Sequence, residues 1–182
     1  VGQRRGSAST ADLLPASLEA TIAQAVAIAR FTEDDPAAGL ADPELMAREL
    51  RDFDGWHPWD IDAERAIALG VACEAAGRGA DARITNSEGA AVNTGESLSV
   101  YANSHGFIGP ERGTSHAISA SFIAGSGEAM QREDWYTTGL SPADLEDPEA
   151  VGRRAAERAL ARLAPRPVKT GPDPVRFAAE VA

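Results

Sequence analysis

The sequence predicts an α+β fold: a largely antiparallel or mixed β-sheet with helices packed mainly on one face. Two helical stretches come first, short strand patterns follow, and a last helical stretch closes the chain, so helices and strands do not alternate as they do in βαβ units. The glycine-rich phosphate loop of a doubly wound fold is also missing. The length of 182 residues, 43% of them hydrophobic, suits one globular domain, and we expect residues 1–182 to form one.

The first predicted helix begins at Pro15, because a proline in the first turn of a helix costs no hydrogen bond. Its apolar residues, among them Leu18 and Ile22, recur at helical spacing. Residues 1–10 before it alternate weakly and predict a strand that runs into a turn. Residues 32–55 after it are acidic and interrupted by proline and glycine, which predicts a long loop with one helical turn near Pro43–Leu50.

Two further helices are predicted from their caps. An aspartate N-cap at Asp60 opens the second, and Gly77 and Gly79 end it. Its face of mostly small residues suits close packing on a sheet. The pair Asp147-Pro148 opens the third helix, whose apolar residues point towards the core.

The strand predictions lie between these two helices. They cover residues 83–86, 90–93, 98–103, 115–124 and 130–138. Glycines place turns between the first three strands, at 87–89 and 94–96. In the fourth strand, His116, Ile118 and Phe122 fall on one face, and we expect His116 to be a core or sheet-face residue.

Charge and cysteine content exclude several classes of function. A net charge of −11 argues against direct nucleic-acid binding and against binding to an anionic membrane surface. The single cysteine, Cys73, allows no internal disulfide and favours a reducing cytoplasm. No apolar run has the length of a membrane-spanning helix.

The residues that most often carry chemistry show no catalytic spacing. The three histidines, His57, His105 and His116, form no metal-binding pair. Cys73 lies on the small-residue face of a predicted helix, where a buried and unreactive thiol is expected. A free-standing hydrolase that uses Cys73 or a histidine is therefore the least favoured hypothesis.

One polar stretch is not explained by folding alone. Residues 83–88 include Arg83, Asn86 and Ser87 within a predicted strand. Such side chains suit a cleft that binds an extended peptide by strand addition. The need to keep an edge strand soluble explains them nearly as well.

Several long segments of the sequence resemble one known family. WHPWDID, RITNSEGA, YANSHGF, AMQREDWYTT and LEDPEAVGRRAAERALARL are similar to the PmbA (TldE) branch of the TldD/PmbA family, and they occur in the same order. The resemblance covers essentially the whole chain. It implies that residues 1–182 are the N-terminal part of a longer protein, with a C-terminal domain outside this chain.

The resemblance implies a cytoplasmic subunit of a heterodimeric metallopeptidase that acts on unfolded peptides. Roles attributed to the family are leader removal from a microcin and antitoxin degradation. The zinc-binding HExxxH motif belongs to the TldD partner, and this chain lacks it. We therefore expect no cofactor and no catalytic residue here, and zinc in a TldD-like partner.

Two hypotheses follow from the sequence and the resemblance. In the first, the chain shapes the substrate cleft of the peptidase, and the candidate substrate-binding residues are Arg83, Asn86, Ser87, Tyr101 and Asn103. In the second, it is a non-catalytic interaction protein, such as an adaptor or a modulator of DNA gyrase. Partner binding that does not depend on a TldD-like subunit would distinguish the second from the first.

Overall fold

The computed structural model describes residues 2–167, 169–172 and 174–178, and it confirms an α+β fold. These residues form three α-helices and a three-stranded antiparallel sheet. The chain divides into two compact units. The first comprises Val1–Leu50 and Asn103–Phe107, and the second comprises Arg51–Ala102 and Ile108–Ala182.

The first unit contains helix α1, Pro15–Phe31, which begins at a proline as predicted. The strand predicted within residues 1–10 is wrong, because residues 2–10 contain no strand. This segment instead lies close against α1, where a Cβ on Gly6 would clash with the backbone of Ala25 and Ala29. The segment therefore packs against the surface of α1. The weak alternation of its sequence had suggested that it would pair with a neighbouring strand instead.

Two ion pairs join this segment to the loop after α1. Arg4 Nε lies 2.8 Å from Asp34 Oδ1, and Arg5 Nη2 lies 2.8 Å from Asp35 Oδ2. The hydrogen bond from Arg4 lowers the pKa of the Asp34 carboxyl. Further along the loop, a short 3-10 helix, Pro43–Leu45, confirms the predicted helical turn.

The second unit contains the sheet, in the order β1-β2-β3. Its strands are β1, Ile84–Ala102; β2, Ile108–Ala124; and β3, Gln131–Gly139. The division of residues 83–103 into three short strands is wrong, since β1 is continuous. The predicted turn at 94–96 is regular strand, and the one at 87–89 is a shift of register between Ser87 and Gly89. Cross-strand pairing with β2 overrides the local preference of glycine for turns.

Helices α2, Ala63–Arg78, and α3, Pro148–Ala161, pack on one face of this sheet. The N-cap of α2 is Asp62, whose carboxylate accepts a hydrogen bond from the backbone N–H of Arg65 at 2.7 Å. The predicted N-cap at Asp60 is wrong, because Asp60 lies before the helix in a segment without regular structure. Asp147 caps α3 as predicted.

The core lies between these helices and β2. His116, Ile118 and Phe122 are buried on the same face of β2, which confirms that these three residues share a face. The two helices approach each other closely at Gly77 and Gly152. A Cβ on Gly152 would clash with the Cys73 carbonyl, and a Cβ on Gly77 would clash with the Phe122 ring. Glycine is therefore required at both positions by packing.

Candidate functional site

The structure separates the candidate substrate-binding residues along the hairpin. Arg83 lies immediately before β1, and Asn86 and Ser87 lie near the start of that strand. Tyr101 lies at the other end of β1, one residue before its last. At about 3.3 Å per residue, the strand extends for about 50 Å from Asn86 to Tyr101. Asn103 lies in the turn between β1 and β2. Arg83, Asn86 and Ser87 are thus close together in the chain, and Tyr101 is remote from them.

Arg83 is held by a carboxylate two residues before it. Its Nε and Nη2 donate to the two carboxylate oxygens of Asp81 at 2.9 and 2.8 Å. These hydrogen bonds lower the pKa of Asp81 to about 2. The Arg83 side chain remains 63% exposed, so the guanidinium is fixed in direction but still reaches solvent.

Asn86 and Ser87 stabilise an irregularity of the backbone. Asn86 Oδ1 accepts from the backbone N–H of Ser87 at 2.9 Å, and Ser87 Oγ accepts from the N–H of Gly89 at 2.8 Å. Gly89 has a φ of 99°, which favours glycine. The register shifts around these residues explain much of the polarity that the sequence left unassigned.

The turn at the other end of β1 is closed by an asparagine. Asn103 Oδ1 accepts hydrogen bonds from the N–H groups of His105 and Phe107, at 3.0 and 3.4 Å. This is the local side-chain bonding for which asparagine is favoured in turns. Tyr101, two residues earlier, is 54% exposed.

Sequence reasoning missed an exposed apolar row on the outer half of the hairpin, which we define as residues 95–102 and 108–115. Leu98 and Val100 are 71% and 61% exposed, and Ile108 is 65% exposed. Cross-strand register puts them on the face that carries His116 and Ile118 further along β2. The apolar alternation at positions 98, 100 and 102 is the signal that would have identified this row.

A loop fixes the base of this outer half. Thr114 Oγ1 donates to the Leu140 carbonyl at 2.7 Å and accepts from the His57 N–H at 3.0 Å. The Thr114 N–H donates to the Gly55 carbonyl at 2.9 Å. One buried threonine therefore joins the loop before α2 to β2 and to the segment after β3.

The buried His116 completes this attachment. Its Nε2 lies 2.9 Å from the His57 carbonyl, which can only accept, so Nε2 is the donor. Its Nδ1 lies 2.9 Å from Thr94 Oγ1, and the Trp59 ring meets the imidazole edge-on at 5.6 Å between centroids. The aromatic-proline stretch that begins at Trp56 is thus explained by attachment to the sheet.

These contacts also bear on metal binding, which the resemblance to a metallopeptidase family implies for the assembled enzyme. Both ring nitrogens of His116 are already used, and the Cys73 thiol is buried, which raises its pKa to about 11. Across residues 2–167, 169–172 and 174–178 there is no group of three or more His, Cys, Asp or Glu side chains that fits a metal ion. The described residues therefore do not fit a metal centre.

The two edges of the sheet differ in length and charge. β1 has 19 residues, and β3, the other edge strand, has 9. Three successive charged residues, 132–134, occupy β3, whereas Glu96 is the one charged residue of the stretch Ala90–Ala102. Charged side chains and short length protect an edge strand from further pairing, so the β1 edge is the less protected one.

These observations define the chain as an α+β protein with a half-exposed hairpin. Residues 56–163 match the family profile described as "PmbA/TldA metallopeptidase central domain". The chain belongs to the PmbA/TldD family. No helix in the part of the chain that the structure describes combines the length and apolarity needed to cross a membrane.

Two curated relatives agree with this assignment. The chain is 43% identical over 179 residues to "Metalloprotease PmbA" of Escherichia coli O157:H7, covering 98% of this chain and 40% of that protein. It is 36% identical over 182 residues to "Metalloprotease PmbA homolog" of Haemophilus influenzae, with 100% and 40% covered. The chain spans about 40% of the length of these relatives. Its assignment to their N-terminal part stays a prediction.

Solved structures show the same fold. A protein of Bacteroides thetaiotaomicron, described as a candidate modulator of DNA gyrase, has a TM-score of 0.78 and 28% identity, covering 94% of this chain and 40% of that one. A protein of Thermotoga maritima, described in the same terms, has a TM-score of 0.62 and 17% identity, with 84% and 34% covered. The second likeness concerns the fold alone.

Proposed function

We propose that this chain belongs to the non-metal-binding subunit of a two-part metallopeptidase, in which it helps to hold an unfolded peptide. Family membership supports a metallopeptidase role. The observation that carries the proposal is the open edge of β1, whose backbone groups suit an extended chain. A TldD-like subunit would carry the zinc ion, which supplies Lewis-acid polarisation of the scissile carbonyl.

The biological setting is part of the same proposal. We place the assembled pair in the cytoplasm, with unfolded chains such as a microcin leader or an antitoxin as substrates. An extended strand edge binds backbone more than side chains, and such recognition suits substrates that share no sequence.

Reconstitution tests the division of labour. The full-length protein that contains this chain, a TldD-like partner and their mixture are each incubated with an unfolded peptide, with and without a chelator. We expect hydrolysis that requires the mixture and is abolished by the chelator. Hydrolysis by the full-length protein alone, or no gain on mixing, would refute the proposal.

Arg83, Asn86, Ser87, Tyr101 and Asn103 remain the proposed peptide-facing residues. The exposed, direction-fixed guanidinium of Arg83 supports a contact with a peptide carbonyl or carboxylate. We expect Arg83→Ala combined with Asn86→Ala to slow hydrolysis by the mixture roughly fivefold, equivalent to about 1 kcal/mol.

Asp81→Asn is the matched control for that pair. It removes the carboxylate charge that orients Arg83 but keeps the guanidinium available to the peptide. We expect it to retain most of the hydrolysis rate. An equal loss in Asp81→Asn and in the Arg83 and Asn86 double variant would mean that the residues act through local structure, and it would remove them from the site.

A second candidate function is an interaction protein that binds DNA gyrase. The description of the Bacteroides protein favours it, and the net charge of −11 suits a basic protein partner better than DNA itself. Binding of purified gyrase to the full-length protein, measured without a TldD-like subunit, tests it. Gyrase binding that persists alone would support this candidate, and its absence would remove it.

A further inference from the structure

The helix layer covers only part of the sheet face on which it lies. The apolar cluster under α2 and α3 reaches Val92 on β1 and Ile118 on β2. Beyond them the same face continues towards the tip of the hairpin, where a group of apolar side chains is exposed. A contiguous apolar patch that stays exposed is typical of an interaction surface. We call this group the tip patch, and its members are Leu98, Val100, Ala102, Ile108 and Pro110.

A polar belt separates the tip patch from the core on this face. Within it, Thr94 bonds to His116, and Thr114 bonds to the loop before α2. The two charged residues of the belt, Glu96 and Arg112, differ from these, because none of the ion pairs among the described residues includes either of them.

The guanidinium of Arg112 is held at the border of the tip patch by an aromatic ring. Its central carbon lies 4.9 Å from the centroid of the Trp56 ring. This contact uses the plane of the guanidinium and leaves its N–H groups available to a carboxylate. Arg112 lies directly opposite Leu98 in the register, so a carboxylate bound there would belong to a group that also covers the patch.

A second copy of this chain does not fit the tip patch. With a two-fold axis along the strands, α2 and α3 of both copies would lie between the two sheets. Packed sheets are about 10 Å apart, which is the thickness of one helix layer and not of two. With the axis across the strands, Glu96 and Arg112 of each copy would lie against the apolar tip of the other. Two charges would then be buried without a counter-ion.

A helix of another chain fits the space better. Helices α2 and α3 already lie on this face, so a further helix over the tip patch would extend an existing layer. The strand runs for about 20 Å from Glu96 to Ala102, which is the length of a helix of about 13 residues. An apolar stripe on such a helix would cover the patch. An acidic and a basic residue at its end nearest the core would pair with Arg112 and Glu96.

We propose that the tip patch binds a helix of the TldD-like subunit, whose apolar stripe covers the patch and whose acidic residue pairs with Arg112. This inference rests on the proposed function, which supplies the partner, and it gives the two-part enzyme a contact surface on this chain. The contact is made by side chains of one sheet face, so it leaves the outer edge of β1 accessible.

Thiol labelling of the full-length protein tests the location. Leu98→Cys places a reactive group in the tip patch, whereas the native Cys73 is fully buried and reacts slowly. Ser99→Cys, one residue away on the opposite face, is the matched control. Mass spectrometry measures the labelling of each introduced thiol with and without the TldD-like subunit. With the subunit at about ten times the Kd of the pair, labelling of Leu98→Cys should slow roughly tenfold and that of Ser99→Cys should not change.

Three results of this experiment would overturn the inference. The first is equal labelling of Leu98→Cys with and without the subunit although the complex forms. The second is labelling of Leu98→Cys that is already much slower than that of Ser99→Cys in the protein alone, since another part of the same chain would then cover the patch. The third is labelling that slows as the concentration of the protein alone rises, which would identify a second copy as the occupant.

Charge reversal tests the pairing with Arg112. Arg112→Glu should weaken binding of the TldD-like subunit roughly tenfold, because the acidic residue of the helix would then meet a like charge. Glu111→Arg is also a charge reversal, but it lies on the opposite face and should leave the affinity unchanged. Sedimentation of the mixtures measures both affinities. An equal loss in the two variants, or no loss in Arg112→Glu, would refute the pairing.

Two outcomes separate this inference from the function on which it rests. Hydrolysis that requires both subunits, with no slowing of the labelling of Leu98→Cys, would refute the inference and keep the proposed function. Slower labelling in the presence of the subunit, without hydrolysis of an unfolded peptide, would keep the inference and refute the peptidase role.

Discussion

The inner and outer halves of the β1–β2 hairpin form a natural comparison, because they share two strands, one register and one face. In the inner half, Ile118 and Phe122 are buried under α2 and α3. In the outer half, Leu98 and Val100 on the same face are mostly exposed. Strand pattern alone therefore does not decide burial here. The presence of a covering layer decides it, and Thr114 marks the boundary between the halves.

The largest difference expected between the halves is in the cost of truncating an apolar side chain. Phe122→Ala should lower the free energy of unfolding by about 3–5 kcal/mol, because it leaves a cavity under the helices. Leu98→Ala on the same face should change it by no more than about 0.5 kcal/mol. Urea unfolding followed by circular dichroism measures both. Similar costs would show that the outer half is covered.

Glycine substitutions sharpen the comparison. Gly152→Ala should destabilise by about 1–3 kcal/mol, since its Cβ would overlap the Cys73 carbonyl of α2. Gly95→Ala is the control in the outer half, where a Cβ would meet the Ser115 carbonyl at an ordinary 3.9 Å. Thermal unfolding of the two variants is compared. A tolerated Gly152→Ala would contradict the close helix contact.

The boundary itself is tested by removing one hydroxyl. Thr114→Val keeps the shape but loses the bonds to Leu140 and His57, and should cost about 1–2 kcal/mol. Exchange of amide hydrogens in residues 55–59 should become faster. Ser97→Ala, which removes an exposed hydroxyl bonded to the neighbouring strand, is the control and should cost little. Unchanged exchange in Thr114→Val would refute the attachment.

The smallest effect expected is electrostatic. Glu133 on β3 accepts a hydrogen bond from Arg162 that lowers the pKa of its carboxyl. Its contribution is present above the ordinary carboxyl pKa and is lost as pH falls through the lowered value. Glu133→Gln should therefore cost about 0.5 kcal/mol at neutral pH, and the difference from the unchanged protein should vanish at low pH.

Glu157→Gln, on the exposed side of α3, is the control for this effect. It should leave the free energy of unfolding almost unchanged throughout the titration. A Glu133→Gln difference that stays constant with pH would show that the carboxylate charge is not what stabilises the inner half.

Periodic elements could be predicted from the sequence, whereas long-range attachments could not. The helix from Pro15 and the shared face of His116, Ile118 and Phe122 in β2 follow from spacing, which is local information. The continuity of β1 does not, since Gly89 and Gly95 resemble turns until pairing with β2 is known. The bond from Thr114 to His57 joins residues far apart in the chain, and no local pattern reports it.

In the candidate site, too, some features could be predicted from the sequence and others could not. The polarity of Asn86 and Ser87 is visible in the sequence, but their bonds at the bulge require the backbone geometry. The apolar row at Leu98 and Val100 was open to prediction from alternation. Its exposure was not, because exposure depends on where α2 and α3 end relative to the sheet.

The turn closed by Asn103 has a consequence for the order of folding. β1 and β2 begin to pair at Ala102 and Ile108, so their first contacts are close in sequence and the chain loses little entropy in making them. Contacts this local form early, on the order of 1–10 μs for a hairpin. We expect the hairpin to grow from its exposed tip inwards and to display the apolar face of β2 before α3, later in the chain, can cover it.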